Sequence, residues 1–146
     1  RQMCIRDRYV DALRLGKTTV DDLTSYTQTA VEIEHIMPQT CADKELYGMN
    51  DEDFSVYINR LGNLTLLENS INKSIHNDVY ANKSKAYKQS KFYLTSSLSE
   101  LVNQGHDTAI NRTNSLLFAW SDWNKRSIEE RQEMLYRLSE MIWEMS

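Results

Sequence analysis

One proline, Pro38, and four glycines are all the strong chain-breakers in 146 residues. A domain of many short hairpins needs far more turn residues, so a β-sandwich is disfavoured and helix is the default. The proline also falls at the end of the one segment that alternates. Over residues 30–37, Val31, Ile33 and His35 share one face of an extended chain, and Glu32, Glu34 and Ile36 share the other. Pro38 stops this strand, because it has no N–H to give a ladder, and it holds Met37 extended.

The rest reads mainly as helix. Residues 7–15 carry Tyr9, Val10 and Leu13 at helical spacing, and residues 18–22 are a capped helical turn. Asn50 is the expected N-cap of a helix over 51–60, with acids in its first turn, Phe54, Tyr57, Ile58 and Leu61 on its apolar face, and Gly62 as its C′ residue. Residues 64–67 are a short β-prone run. Residues 68–93 form two helical pieces broken around 76–78, and 94–101 continue as helix or turn. After a break at 105–107, a helix runs from Asp107 or Thr108 to Trp120. Ser127 and Glu130 form a capping box for a last helix to Trp143, with Ile128, Met134 or Leu135, Leu138, Met141 and Ile142 inward. Tyr80, Tyr87, Trp120, Trp123 and Trp143 are spaced as core residues.

Composition then excludes several classes. Two cysteines, Cys4 and Cys41, supply neither a disulfide scaffold nor a four-cysteine zinc site. No apolar run approaches the roughly 18 residues of a membrane span. No secretory opening is recognised, so a cytoplasmic location is expected. The opening Arg1 in place of Met reads as a piece of a longer protein. The net charge of −4 hides an asymmetry. Acids dominate residues 17–57, whereas Arg60, Lys73, Lys83, Lys85, Lys88 and Lys91 outweigh Glu68 and Asp78 in the segment that follows.

Chemistry concentrates on the strand. Glu34 and His35 put a hard oxygen ligand beside an imidazole that works as a general base near neutral pH. That pair suits metal-assisted attack of water on a phosphodiester. Strand neighbours point to opposite faces, so both can serve one phosphate only if the chain bends, and Pro38 makes a bend. Asn63, taken alone, is a turn residue. Asn72 follows it by nine residues, and a helix starting near Asn69 and folding back over the hairpin brings Asn72 beside Glu34.

The order Glu34-His35-Ile-x-Pro, then Leu-Gly-Asn63-Leu-Thr-Leu-Leu, then Asn72-Lys73 resembles the HNH motif on a ββα-metal finger. More closely, it resembles the C-terminal domain of GmrSD-type restriction endonucleases. Asn77, Tyr80, Lys83, Tyr87 and Ser90 fit the continuation of that pattern, and Trp123, Ile128, Arg131 and Trp143 fit its close. The resemblance implies an α+β fold, a mostly helical domain around the finger. It divides the chain into a lead-in over 1–29, a nuclease core over 30–93 and helices packed on it over 94–146.

It further implies His35 as general base, with Asn63 fixing its ring, and Glu34 and Asn72 as ligands of one divalent cation. Mg²⁺ is the expected ion and Mn²⁺ the alternative, with no structural zinc. Many HNH proteins carry Asp at the position of Glu34 and His at that of Asn72. The implied activity is hydrolysis of DNA in defence against foreign DNA, with a separate N-terminal NTP-dependent domain choosing the target. Lys73 and Lys83 are expected to neutralise phosphates, Lys83 from a family position. His76, four residues after Asn72 on the same helical face, is expected to add a metal or phosphate contact. Lys85, Lys88 and Lys91 are as consistent with plain surface. Two other readings are a non-catalytic nucleic-acid-binding module and an RNA-directed nuclease on the same finger.

Overall fold

The computed structural model describes residues 2–14, 30–103, 105–106 and 108–144. The turn expected at 18–22, the rest of 15–29, Asp107 and the side chain of Trp143 lie outside the described residues. α1 (Gln2–Arg14) precedes β1 (Val31–His35). The connection from β1 carries a 3₁₀ turn (Lys44–Tyr47), α2 (Asp51–Tyr57) and a second 3₁₀ turn (Leu61–Asn63). β2 (Leu64–Glu68) runs directly into α3 (Asn69–Ile75), followed by α4 (Tyr80–Tyr87), α5 (Tyr93–Ser96), α6 (Ala109–Asn114) and α7 (Lys125–Glu144). The class is α+β, as the alternation of residues 30–37 in an otherwise helical chain requires. Among the described residues no helix is long and apolar enough to cross a membrane.

β1 and β2 pair antiparallel, Val31 opposite Glu68 and His35 opposite Leu64. Two strands alone are marginal in water, so helices must cover the hairpin. The core that does so includes Ile36, Met37, Leu67, Tyr80, Tyr87, Trp123, Ile128 and Leu138, all nearly inaccessible. Tyr80 stacks on Trp123 with ring centroids 5.2 Å apart, and Trp120 meets Trp123 edge-on at 5.5 Å. Both geometries are favourable for aromatic quadrupoles. The aromatic residues spaced as core are therefore core wherever their side chains are described.

Local signals act mostly as chemistry dictates, with three shifts. Asn50 caps α2, its Oδ1 accepting from Asp53 N at 2.8 Å, and Thr108 caps α6 by accepting from Asn111 N at 3.2 Å. α2 stops at Tyr57 and α6 at Asn114, each short of the expected end. α7 starts at Lys125, and its capping box lies three residues upstream of the expected one. Asn124 Oδ1 accepts from Ser127 N at 3.2 Å, and Ser127 Oγ accepts from Asn124 N at 3.3 Å. Glu130 instead accepts from Arg126 and from the Trp120 indole.

α1 docks on this body through a buried polar patch. Asp7 is buried beside Arg131 of α7, and desolvation first, then the nearby Asp11 charge, push its carboxyl up to about 8, against the opposing pull of Arg131 and Arg6. The native state thus keeps a proton that the unfolded chain loses near pH 4. The sign follows: this contribution is full below the unfolded value and is lost as pH rises toward about 8. Asp7→Asn should flatten that decline, so urea midpoints taken near pH 4 and near pH 8 should lie closer together than in the parent. A steeper decline in the variant would mean that Asp7 is ionised and stabilised by Arg131.

Candidate active site

The alternation of β1 sets the first constraint. Glu34 is buried while Ile33 is 57% exposed, so the face of Glu32 and Glu34 turns inward and the face of Ile33 and His35 turns outward. A buried carboxylate must be paired. Lys83 of α4, itself 1% exposed, places Nζ 2.6 Å from Glu34 Oε1, and the Tyr87 hydroxyl donates to the same oxygen at 2.9 Å. Burial pulls the Lys83 ammonium below its usual value, opposed by the adjacent Glu34 charge. Burial first, then Glu34, pushes the Tyr87 phenol well up.

This overturns two expectations. Lys83 is not available to a phosphate, because its charge is spent on Glu34 inside the protein. Glu34 Oε1 meets an ammonium and a phenol where the resemblance implies a cation.

Asn72 also lies elsewhere than expected. Its Nδ2 donates to Glu32 Oε2 at 2.7 Å, and Asn69 Nδ2 donates to the other oxygen of the same carboxylate. The helix does fold back on β1, but it meets the strand at Glu32, one same-face step before Glu34. The Glu34–Asn72 pair is therefore replaced by Glu32 with Asn69 and Asn72. Among the described residues no three His, Cys, Asp or Glu side chains converge on one point. The hard oxygen donors of this corner come instead from one carboxylate and two carboxamides.

His35 sits at the outward end of β1, half-buried. Its Nε2 lies 3.1 Å from Asn59 Oδ1 and 3.4 Å from Gln39 Nε2. With the nearer Asn59 carbonyl accepting, Nε2 carries the proton and Nδ1 keeps the lone pair. Asn63 does not touch the ring. It is fully buried, and its side chain closes on backbone: Oδ1 accepts from Met37 N at 2.7 Å and from the Trp123 indole at 3.1 Å, while Nδ2 donates to Met37 O at 3.2 Å and Ile58 O at 2.9 Å. All four bonding positions of the amide are thus used. Asn63 fixes the chain just after His35, and Asn59 holds the imidazole.

The remaining basic candidates are exposed. Lys73 lies one residue beyond Asn72 on α3. His76 closes that helix with φ +33°, the one non-glycine residue with positive φ among the described residues. Lys88 pairs with Glu100 at 3.3 Å. Glu68, at the far end of β2, is buried and accepts from Ser90 Oγ at 2.8 Å and Lys91 N at 2.7 Å.

Asn59 and Glu32 were missed from sequence. Glu32 had a signal, since alternation puts it on the face of Glu34. Asn59 had none beyond being polar at the end of an apolar helix face.

The C-terminal helix supports the same corner. Trp123 holds Asn63, and Arg131, buried and with burial bringing it down to about 10, donates to Gly62 O at 3.0 Å and Leu64 O at 2.7 Å. This corner of the α+β domain carries an imidazole, a buried and a half-buried carboxylate, and several carboxamides. Residues 4–138 match the family model described as GmrSD restriction endonucleases, C-terminal domain, and the chain belongs to that family. It is thereby a restriction-endonuclease-related domain. Comparison with curated proteins and with solved structures gives no match.

Proposed function

We propose that this chain is the DNA-cleaving part of a restriction system and hydrolyses phosphodiester bonds with His35 as general base and one divalent cation. The observation that carries the reading is the state of His35. With Asn59 Oδ1 accepting from Nε2, the half-buried imidazole has Nδ1 as its proton acceptor. Nδ1 takes the proton of an attacking water, and the Asn59 bond steadies the imidazolium that results. Asn63 keeps the backbone after His35 from moving as the charge changes.

The donor set fits a hard cation at Glu32 rather than at Glu34. Among the described residues Glu32 is met by the amides of Asn69 and Asn72 and by no cation, and a carboxamide can turn its Oδ1 to an ion as readily as its Nδ2 to a carboxylate. A bound Mg²⁺ or Mn²⁺ supplies charge stabilisation at the scissile phosphate and the leaving oxygen. Glu32 and His35 lie on opposite faces of β1, and Lys83 bonds the His35 carbonyl, so a phosphodiester reaches both by passing around the strand end at His35. Lys73 and His76, both exposed beyond Asn72, meet flanking phosphates. A separate NTP-dependent part of the system selects the target.

The test is nicking of supercoiled plasmid by the full chain, together with calorimetric titration of Mn²⁺. Nicking should need the cation. Glu32→Gln should lose both the nicking and the Mn²⁺ heat, whereas Glu34→Gln should lower thermal stability and keep Mn²⁺ binding below its melting point. Unchanged Mn²⁺ binding in Glu32→Gln would overturn the cation assignment. Cation-independent DNA binding without cleavage would make the domain a binding module, and cleavage of RNA alone would move it to the RNA-directed class.

A further inference from the structure

The peptide unit joining His35 to Ile36 is held at both of its polar ends. Its carbonyl, that of His35, accepts from Lys83 Nζ at 2.8 Å. Its N–H, that of Ile36, donates to Asn63 O at 2.9 Å. A peptide is planar, so fixing both ends fixes its plane and the His35 Cα, and with the preceding peptide held in the β1–β2 ladder this sets the direction of the His35 Cα–Cβ bond. Downstream, the Met37 N–H and carbonyl are both closed by the Asn63 side chain. The imidazole therefore has one soft torsion system left, and Asn59 takes that up.

Lys83 is an expensive way to hold a carbonyl. An ammonium buried to 1% exposure needs a counter-charge and further acceptors. Glu34 supplies the charge at 2.6 Å, and Tyr87 fills the same carboxylate oxygen from the next turn of α4. The triad thus aims Nζ at the His35 carbonyl.

We propose that Lys83, set by Glu34 and Tyr87, is a positioning residue that orients the His35 imidazole through the His35–Ile36 peptide, and that it makes no contact with nucleic acid. The proposal rests on the reading of His35 as the base. It assigns the family-matching Lys83 and Tyr87 to the aim of the histidine instead of to substrate binding. A misplacement of the ring of even an ångström is costly, because the acceptor must meet one water against one phosphate.

The experiment compares the full chain with Lys83→Met and Tyr87→Phe by steady-state nicking in Mg²⁺ and by ¹H–¹⁵N spectra of the imidazole rings. Only three histidines are present, so the His35 ring is assigned by difference from His35→Ala. Lys83→Met should lower kcat by about 10- to 100-fold with KM for DNA little changed, and should move the His35 ring resonances. Tyr87→Phe keeps the ion pair and removes one donor, so it should give a smaller loss of the same kind; it also serves if Lys83→Met does not fold. A raised KM with kcat retained would overturn the proposal, because it would place Lys83 on the substrate. Unmoved His35 resonances in a folded Lys83→Met chain would overturn it equally. If the parent chain cleaves nothing, the function reading fails, and the ring resonances alone decide whether Lys83 aims the imidazole.

Discussion

Gly62→Ala should cost the domain about 3 kcal/mol or more, among the largest penalties available at a single surface-distant position. The reason is not backbone freedom, because Gly62 does not have positive φ. A Cβ placed there would lie 2.1 Å from the Ile128 carbonyl oxygen and 3.1 Å from both Cβ and N of Gln132. The first of these is backbone of the first turns of α7, so no rotamer change relieves the clash. The whole helix must move away from the Leu61–Asn63 turn. Moving it strains the Arg131 bonds to Gly62 O and Leu64 O and the Trp123 bond to Asn63 Oδ1. Because native stability is only about 5–15 kcal/mol, the variant should melt at least about 6 °C lower and expose Trp123 fluorescence to water early in the transition. A variant that melts with the parent would show that α7 does not lie against this turn.

That close approach marks where sequence reasoning ends. A glycine after an apolar helix face reads locally as a C′ residue, yet what requires it is α7, reached only after many intervening residues. The same holds for the site. The strand over residues 30–37, the β-prone run after Asn63, the break near His76 and the Asn50 cap were legible, because alternation, capping and turn chemistry act over a few residues. His35 has a signal in the carboxylate beside it, whereas Asn63, locally a turn residue, is singled out only by the family resemblance.

Their partners were not legible. Lys83 and Glu34 are 49 residues apart, and nothing local to either says that the lysine is buried. Lys83 sits in a basic run with Lys85, Lys88 and Lys91, which are exposed, and only tertiary packing separates it from them. Likewise Asn72 and Glu32 are 40 residues apart, and moving the contact from Glu34 to Glu32 is a shift of one same-face step along β1. Such a shift depends on how far α3 slides along the strand, which sequence periodicity does not encode. The long α7 is legible as a helix with its apolar stripe, but its cap is Asn124, three residues before Ser127, since both are good capping residues.

Loss of the imidazole at position 35 should remove cleavage and leave the fold. His35 lies at the outward end of β1 and is only half-buried, and its ring contacts are Asn59 and Gln39, both exposed. The backbone bonds that secure this segment come from Asn63 and Lys83 and survive truncation of the ring. His35→Ala should therefore melt close to the parent while its nicking rate falls by about 10²- to 10⁴-fold, the usual worth of a positioned general base. Imidazole added to the solution should restore part of the rate in the alanine variant, because the ring is only half-buried and its contacts, Asn59 and Gln39, are exposed. It should do nothing for Glu32→Gln, whose defect is a missing ligand and not a missing base. Asn59→Ala should fall between the parent and His35→Ala, since the ring stays but loses the partner that fixes its tautomer. Full activity in His35→Ala, with plasmid nicked at the parental rate, would remove the histidine from the mechanism and with it the role assigned to Lys83.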